Sequence, residues 1–155
     1  MKLTNLGVCN LDAPIGYAME APVFSWTVED AAGEQAWAKI TVRANGETVF
    51  ESAEEKAADS FGWKIELPLN PRTRYDYTLT VQSTDGKEAE ADSFFETGKR
   101  DEAWKARWIS PGQSRSSALL RKRFTLTEPV KAARLYICGL GVYEAWLNEI
   151  GRAHV

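Results

Sequence analysis

Residues 69–81 read Leu-Asn-Pro-Arg-Thr-Arg-Tyr-Asp-Tyr-Thr-Leu-Thr-Val, and this stretch decides the fold class. From Tyr75 to Val81 every second residue is aromatic or apolar. A period of two is typical of a β-strand that buries one face. Pro71 and its polar neighbours indicate a turn before the strand. The stretch therefore predicts a turn that leads into a long, half-buried strand.

The spacing Leu69-x-Pro71-x-Thr73-x-Tyr75 adds a more specific expectation. Immunoglobulin-like sandwiches often place a tyrosine at the corner before a core strand, with its hydroxyl bonded to upstream backbone. The alternative is a plain turn followed by a strand tyrosine. Both interpretations predict β-structure.

Other short segments before Gly98 have the same strand character, with turn signals between them. Asn45-Gly46 and Asp85-Gly86 are dipeptides typical of tight hairpins. The polar segment 52–60 has no apolar stripe and predicts a solvated loop. The pattern predicts an all-β protein that begins with an antiparallel β-sandwich. The further predicted strands are residues 23–28, 36–42, 48–50, 62–67 and 93–97.

The chain after Gly98 has a different character. Residues 1–98 carry 8 basic and 17 acidic residues (net −9), and residues 99–155 carry 11 basic and 5 acidic ones (net +6). Residues 99–105 are polar and predict a linker, and a Gly139-Leu140-Gly141 turn joins the last two of the strands expected after it. We therefore expect a second β unit after the linker. Its predicted strands are residues 118–126, 130–137 and 142–147.

Composition excludes several classes of protein. The basic residues after Gly98 are scattered, whereas a nucleic-acid site needs a dense basic face, so no nucleic-acid partner is expected. Cys9 and Cys138 are too few for a disulfide framework, and free buried thiols are expected. The first residues lack the apolar core of a signal peptide, and no run reaches about 18 apolar residues. If Met1 is the true start, we expect a cytoplasmic protein with no membrane partner.

The sequence offers no convincing catalytic, cofactor or metal residues. Gly139-x-Gly141 lacks the third glycine of a dinucleotide-binding turn and is followed by strand-like residues. His154 is the only histidine, which excludes histidine-based triads and histidine-rich metal sites. The acidic residues of the loops have no sequence reason to converge as a glycosidase pair, so solvated charge is the better interpretation. They are Glu29, Asp30, Glu34, Glu54, Glu55, Glu88 and Glu90.

The aromatic residues leave carbohydrate binding open, because tryptophan faces stack on sugar rings. Trp26 and Trp146 follow a strand period and are expected in cores. The other four tryptophans are candidates for either core packing or exposed sugar-stacking positions. They are Trp37, Trp63, Trp104 and Trp108.

Several segments, in order, resemble the fibronectin-type-III-like domain that opens bacterial α-L-rhamnosidases of glycoside hydrolase family 78. The first set is Pro14-Ile15-Gly16, Pro22-x-Phe24-Ser25-Trp26, residues 35–42, Ser52, the Leu69 to Tyr75 corner and Phe95-Glu96-Thr97-Gly98. A second set resembles the start of that family's next β-sandwich domain. It is Trp104-x-x-x-Trp108-Ile109, Leu120-Arg121-Lys122-x-Phe124, Ala133-Arg134-Leu135-Tyr136 and Gly139-Leu140-Gly141-x-Tyr143-Glu144.

The resemblance implies a domain division and two departures from the family. The expected parts are a fibronectin-III-like sandwich at 1–98 and the start of the second sandwich domain at 99–148. Ala38 stands where the family usually has tyrosine, a minor repacking. The family also continues after Asn148 with more strands and an (α/α)6 barrel that carries the catalytic carboxylates. Residues 149–155 instead resemble a translated sequencing-library adapter, so we expect an artefactual tail on a truncated gene fragment.

The expected function follows from that resemblance. The chain would be the non-catalytic N-terminal region of an α-L-rhamnosidase, whose full-length form removes terminal α-L-rhamnose by the inverting route. Its partners would be the missing C-terminal domains of the same polypeptide, and carbohydrate is a further candidate. The alternative is a standalone carbohydrate-binding or adhesion module. Residues 1–98 alone are expected to be soluble and cooperative, and the full chain prone to aggregation.

Overall fold

The computed structural model describes residues 1–112, 119–148 and 150–154. These residues form ten β-strands and no helix. Two units can be distinguished, Met1–Arg107 and Trp108–Val155. The all-β prediction is confirmed, whereas the predicted domain bounds at 98 and 148 stay a prediction. The strands are β1 (Lys2–Val8), β2 (Ile15–Tyr17), β3 (Val23–Glu29), β4 (Gln35–Ala44), β5 (Glu47–Glu51), β6 (Trp63–Lys64), β7 (Arg74–Ser83), β8 (Glu88–Thr97), β9 (Glu144–Leu147) and β10 (Ile150–His154).

The first unit contains two sheets. One has the order β1-β3-β6 and the other the order β2-β8-β7-β4-β5. All neighbours pair antiparallel except β2, which runs parallel to β8 at the edge of the larger sheet. Alternating inward side chains of both sheets share one core, as in an immunoglobulin-like sandwich. That core includes Val8, Phe24, Trp26, Ile40, Val42, Tyr75, Tyr77, Leu79, Val81 and Phe95.

The stretch that decided the fold becomes β7, the central strand of the larger sheet. Its predicted inward residues are at most 2% exposed. The Asn70 backbone N–H donates to the Tyr75 hydroxyl at 2.7 Å. The Tyr75 ring stacks on Phe95 with ring centres 5.0 Å apart. The tyrosine-corner interpretation is therefore confirmed.

Both predicted hairpin turns are present. Asn45 and Gly46 have φ angles of 53° and 84°, the left-handed pair that joins β4 to β5. Gly86 has φ 82° between β7 and β8. Segment 52–60 contains no helix, as predicted.

Two strand predictions differ from the structure in extent. Only Trp63–Lys64 of the predicted strand 62–67 pairs with β3, although Ile65 and Leu67 remain buried. The closing strand β8 begins at Glu88 and not at residue 93. Its first half pairs with β7 and directs exposed polar side chains outward. Apolar alternation cannot reveal a strand half whose inward residues are small alanines.

In the second unit, the structure lacks most of the strands that the sequence predicts. Residues 119–126 and 130–137 do not form the predicted strands, and Ala118 lies outside the described residues. Only 144–147 of the predicted strand 142–147 is extended and paired, with β10. A strand needs neighbours that accept its backbone hydrogen bonds and cover its apolar face. Among the described residues of this unit only β9 and β10 pair, and the Trp146 and Leu147 side chains of β9 remain exposed. The predicted tail is β10 as far as it is described, since Glu149 and Val155 lie outside those residues.

Smaller expectations about a tryptophan, the two cysteines and a glycine turn are also wrong or incomplete. Trp146 is 53% exposed and does not lie in a core, and the Cys138 thiol is exposed. Cys9 is half-buried, with its thiol directed at the Ala21 carbonyl at 3.8 Å. The turn at Gly139 and Gly141 exists as a bend, but it does not join two strands because residues 130–137 are not a strand.

Candidate functional site

The outer face of the five-stranded sheet is the most structured polar surface of the first unit. Strand alternation that sends Tyr77, Leu79 and Val81 inward sends the residues between them outward. The outward positions of β4, β7 and β8 align in rows across the sheet. We call this surface the polar sheet face. Its rows are Trp37–Gln82–Glu88, Lys39–Thr80–Glu90, Thr41–Thr78–Asp92 and Arg43–Asp76–Phe94.

Hydrogen bonds connect the side chains at one end of this face. Arg43 Nη1 donates to Thr78 Oγ1 at 3.1 Å, and Thr78 Oγ1 donates to Asp92 Oδ1 at 2.6 Å. Arg74 Nε donates to Asp76 Oδ1 at 2.9 Å. Every one of these charged groups therefore already has a partner within the face.

A shallow depression of about 280 Å³ lies at the same end. The Arg74 guanidinium covers the Phe94 ring, with its central carbon 3.7 Å from the ring centre. This contact removes the ring face that a sugar would need for stacking. The depression is open and its carboxylates are paired, so it lacks the water-excluding cleft that general acid–base chemistry uses.

Trp37 lies at the other end of the polar sheet face and is half-buried. Its indole N–H donates to Gln82 Oε1 at 3.1 Å, and the Gln82 amide donates to Glu88 Oε1 at 2.7 Å. This row is again satisfied internally. A satisfied cross-strand row stabilises a sheet without any ligand.

The tryptophans before Gly98 are less exposed than those after it. Trp26 is buried, and its ring meets Trp63 edge to face at 6.0 Å. No tryptophan of residues 1–98 is exposed. Trp104 and Trp108 are 52% and 69% exposed. Of the four undecided tryptophans, Trp63 packs against the core and Trp37 lies half-buried on the polar sheet face. The two exposed ones lie after Gly98.

The acidic residues considered as a glycosidase pair lie on different elements. Glu29 ends β3 and accepts a hydrogen bond from Thr4 at 2.9 Å, whereas Glu88 and Glu90 lie on β8. All seven side chains are exposed. Among the described residues no group of three or more His, Cys, Asp or Glu could hold a metal ion. In the same residues, no helix is long and apolar enough to span a membrane.

Tyr77 carries the one buried side-chain oxygen or nitrogen that has no hydrogen-bond partner among the described residues. Burial raises the pKa of Tyr77 to about 12, and the neighbouring Ser93 hydroxyl offsets part of that rise. Ser93 lies beside the hydroxyl but outside hydrogen-bond geometry. Tyr77 contacts Phe24 edge to face at 4.8 Å, deep in the core. Its hydroxyl is a local cost to stability and not part of an accessible site.

The second unit exposes an unusual number of large apolar side chains. Isolated exposed apolar residues are common, but a long run of them marks a surface meant to be covered. The Leu119 and Val142 side chains are more than nine-tenths exposed. The others are Trp108, Ile109, Leu120, Phe124, Leu126, Val130, Leu135, Ile137, Leu140, Trp146 and Leu147.

Comparison with known proteins agrees with an immunoglobulin-like sandwich. The family described as Rha78A-like, N-terminal immunoglobulin domain matches residues 3–101, well over half of the chain. The chain belongs to this family. The matched range of the Rha78A-like immunoglobulin domain lies within the first unit and ends three residues after Gly98.

Two curated relatives of this Rha78A-like chain are named α-L-rhamnosidases. The one from Streptomyces avermitilis is 30% identical over 121 residues, which cover 71% of this chain and 12% of that protein. One from Formosa agariphila is 26% identical over 159 residues, which cover 87% of this chain and 17% of that protein. The chain therefore spans less than a fifth of the length of these relatives.

A solved structure shows the same relationship in three dimensions. The crystal structure of the Streptomyces avermitilis α-L-rhamnosidase complexed with L-rhamnose matches with a TM-score of 0.59 and 30% identity. The match covers 70% of this chain and 12% of that one. The Rha78A-like domain identified by sequence is thus similar in fold to part of a rhamnosidase.

Proposed function

We propose that this chain is the N-terminal, non-catalytic part of an α-L-rhamnosidase that removes terminal α-L-rhamnose from glycosides. Its relatives carry that name and are six to eight times longer than the matched part. The observation that carries the proposal is the match of residues 3–101 to a domain described as N-terminal in Rha78A-like proteins. The catalytic carboxylates of the inverting reaction would lie in the rest of the polypeptide.

The role of the first unit in that enzyme would be structural. Its polar sheet face is satisfied internally by pairs such as Arg43–Thr78 and Gln82–Glu88. No tryptophan of residues 1–98 is exposed, so the standalone carbohydrate-binding alternative has no exposed tryptophan there on which a sugar could stack. The missing domains of the same polypeptide would be its partners and would cover the exposed apolar residues after Trp108.

Recovery of the source gene tests this proposal. We expect the reading frame to continue past the codon for Asn148 and to encode a protein several times longer, with a helical barrel. That protein should hydrolyse p-nitrophenyl α-L-rhamnoside, and the 155-residue chain should not. A natural stop codon directly after Val155, or hydrolysis by the 155-residue chain itself, would overturn the proposal.

A further inference from the structure

The residues that follow the last strand of the sandwich, where the sequence predicts a linker, turn back on themselves. The Glu102 backbone N–H donates to the Lys99 carbonyl at 3.0 Å. Two sites on the end of the sandwich then hold the turn. One is the Arg72 side chain and the other is the Met19 carbonyl.

The first anchor is a two-pronged ion pair. Arg72 Nε lies 2.7 Å from Glu102 Oε2, and Arg72 Nη2 donates to Glu102 Oε1 at 2.8 Å. This parallel geometry is the strongest form of an arginine–carboxylate contact. The Arg72 backbone N–H also donates to the Gly98 carbonyl at 2.9 Å. The same residue therefore contacts the chain where it leaves β8 and again four residues later.

Arg72 lies in a segment that several hydrogen bonds hold in place. It lies inside the tyrosine corner with φ 49°, between Asn70 and Tyr75. The Thr97 hydroxyl donates to the Asn70 carbonyl at 2.6 Å and accepts from the Thr73 backbone N–H at 3.0 Å. The corner and the end of β8 are thus one hydrogen-bonded unit, and Arg72 projects from it.

The second anchor lies on a different connection of the sandwich. Arg100 Nη1 donates to the carbonyl of buried Met19 at 2.6 Å, and the Gly98 backbone N–H donates to the Tyr17 carbonyl at 3.1 Å. Lys99 Nζ lies 5.2 Å from the centre of the Trp104 ring. The turn is therefore held from two sides.

We propose that these contacts form an exit clamp, consisting of Arg72, Arg100 and Glu102, that fixes the path of the chain as it leaves the sandwich. A single exposed ion pair adds little stability, but two anchors on separate connections restrict the direction of a short segment. The chain therefore leaves the sandwich in a fixed direction as far as Glu102. This inference does not depend on the proposed function.

Limited trypsin digestion of the full chain tests the clamp, because the segment carries its own cleavage sites. Lys99 and Arg100 lie within the clamped turn, and Lys105 and Arg107 lie beyond it. A synthetic peptide of residues 97–109 gives the intrinsic ratio of cleavage rates at the two pairs. In the folded chain, cleavage after Lys99 and Arg100 should be slower than that ratio predicts, by roughly tenfold or more.

Arg72→Asn is the variant that opens the first anchor, since asparagine tolerates the left-handed backbone of position 72. In this variant, cleavage after Lys99 and Arg100 should speed up and approach the rate that the peptide ratio predicts. Lys64→Asn is the matched control, because it breaks the exposed Lys64–Glu66 pair at 3.3 Å, which is not part of the clamp. The control should leave the ratio unchanged.

A salt titration of the unmodified chain keeps the test valid if Arg72→Asn fails to fold. Raising the salt from about 0.05 M to about 0.5 M should reduce the protection, because salt screens exposed ion pairs. If the ratio of cleavage rates in the folded chain equals that in the peptide, the proposed clamp is wrong. Protection that neither Arg72→Asn nor salt reduces overturns it as well.

Discussion

At the scale of single residues, two tyrosines of β7 have the same burial but opposite hydrogen bonding. The Tyr75 hydroxyl accepts a hydrogen bond from the Asn70 backbone N–H, whereas the Tyr77 hydroxyl has no partner among the described residues. A buried polar group that loses its partner costs more than one that never had a partner. The two positions therefore form a matched pair.

We expect Tyr75→Phe to lower the free energy of unfolding by about 1–3 kcal/mol, because the Asn70 N–H loses its acceptor. Tyr77→Phe should change it by less than about 0.5 kcal/mol or raise it, since it removes an unpaired buried hydroxyl. Urea unfolding followed by circular dichroism measures both. Equal losses for the two variants would contradict this account of the corner.

A carboxylate in the β7–β8 turn predicts a dependence on pH. The Ser83 hydroxyl donates to Asp85, and this bond, followed by contacts with Lys87, lowers the pKa of Asp85 to about 2 from its ordinary 3.8. A carboxyl whose pKa is lower in the folded state stabilises the fold above its unfolded pKa. That contribution is lost as the pH falls through the folded value.

Asp85→Asn should therefore be less stable than the unmodified chain near pH 7, and the gap should close between about pH 4 and pH 2. Thermal melts over that range measure the gap. A gap that stays constant with pH would show that the charge of Asp85 does not support the turn.

At the scale of elements, β2 depends on a close approach at Gly98. A Cβ atom at Gly98 would lie 2.5 Å from the Gly16 carbonyl oxygen, and the Gly98 N–H donates to the Tyr17 carbonyl. At Gly62, by contrast, the nearest atom to an added Cβ is 3.9 Å away. Backbone oxygen cannot move aside as a flexible side chain can.

Gly98→Ala should separate β2 from β8 and lower the free energy of unfolding by about 1–3 kcal/mol. Gly62→Ala should change it by less than about 0.5 kcal/mol. Hydrogen exchange at the β2 and β8 amides, with urea unfolding of both variants, measures the difference. Fast exchange at β2 in both variants, or in neither, would contradict the role assigned to Gly98.

The sequence predicts an element well where apolar alternation and turn chemistry agree. Residues 75–81 and the Asn45-Gly46 turn carry both signals, and β7 and the β4–β5 hairpin form as expected. Residues 130–137 are also rich in apolar residues but do not pair, because such a composition indicates only that a segment can be buried. Whether neighbouring strands are there to bury it is a property of the whole chain.

The candidate site was less predictable than the fold. The polar sheet face is built from rows such as Arg43–Asp76–Phe94, whose members are far apart in sequence and meet only through strand register. The exit clamp escaped prediction for the same reason, since Arg72 and Glu102 are thirty residues apart. The indole positions of Trp37 and Trp63 likewise depended on which sheet face each strand presents.

At the scale of the whole molecule, the two units differ in how much apolar surface they cover. Residues 1–107 should remain monomeric and unfold in one cooperative step, because their core is closed by two sheets. The full chain should self-associate at lower concentration, because of side chains such as Leu119, Leu140 and Val142. Sedimentation velocity of both polypeptides measures the difference. Identical monomeric behaviour of both over the same concentrations would count against it.

The two sheets of the first unit enclose one core, whereas the described residues of the second unit leave their large apolar side chains exposed. Hydrogen–deuterium exchange of the full chain measures this difference. We expect strong protection of β3, β4, β7 and β8 and near-intrinsic exchange across residues 119–140. Protection of residues 119–140 comparable to that of β7, in a monomer, would contradict this expectation.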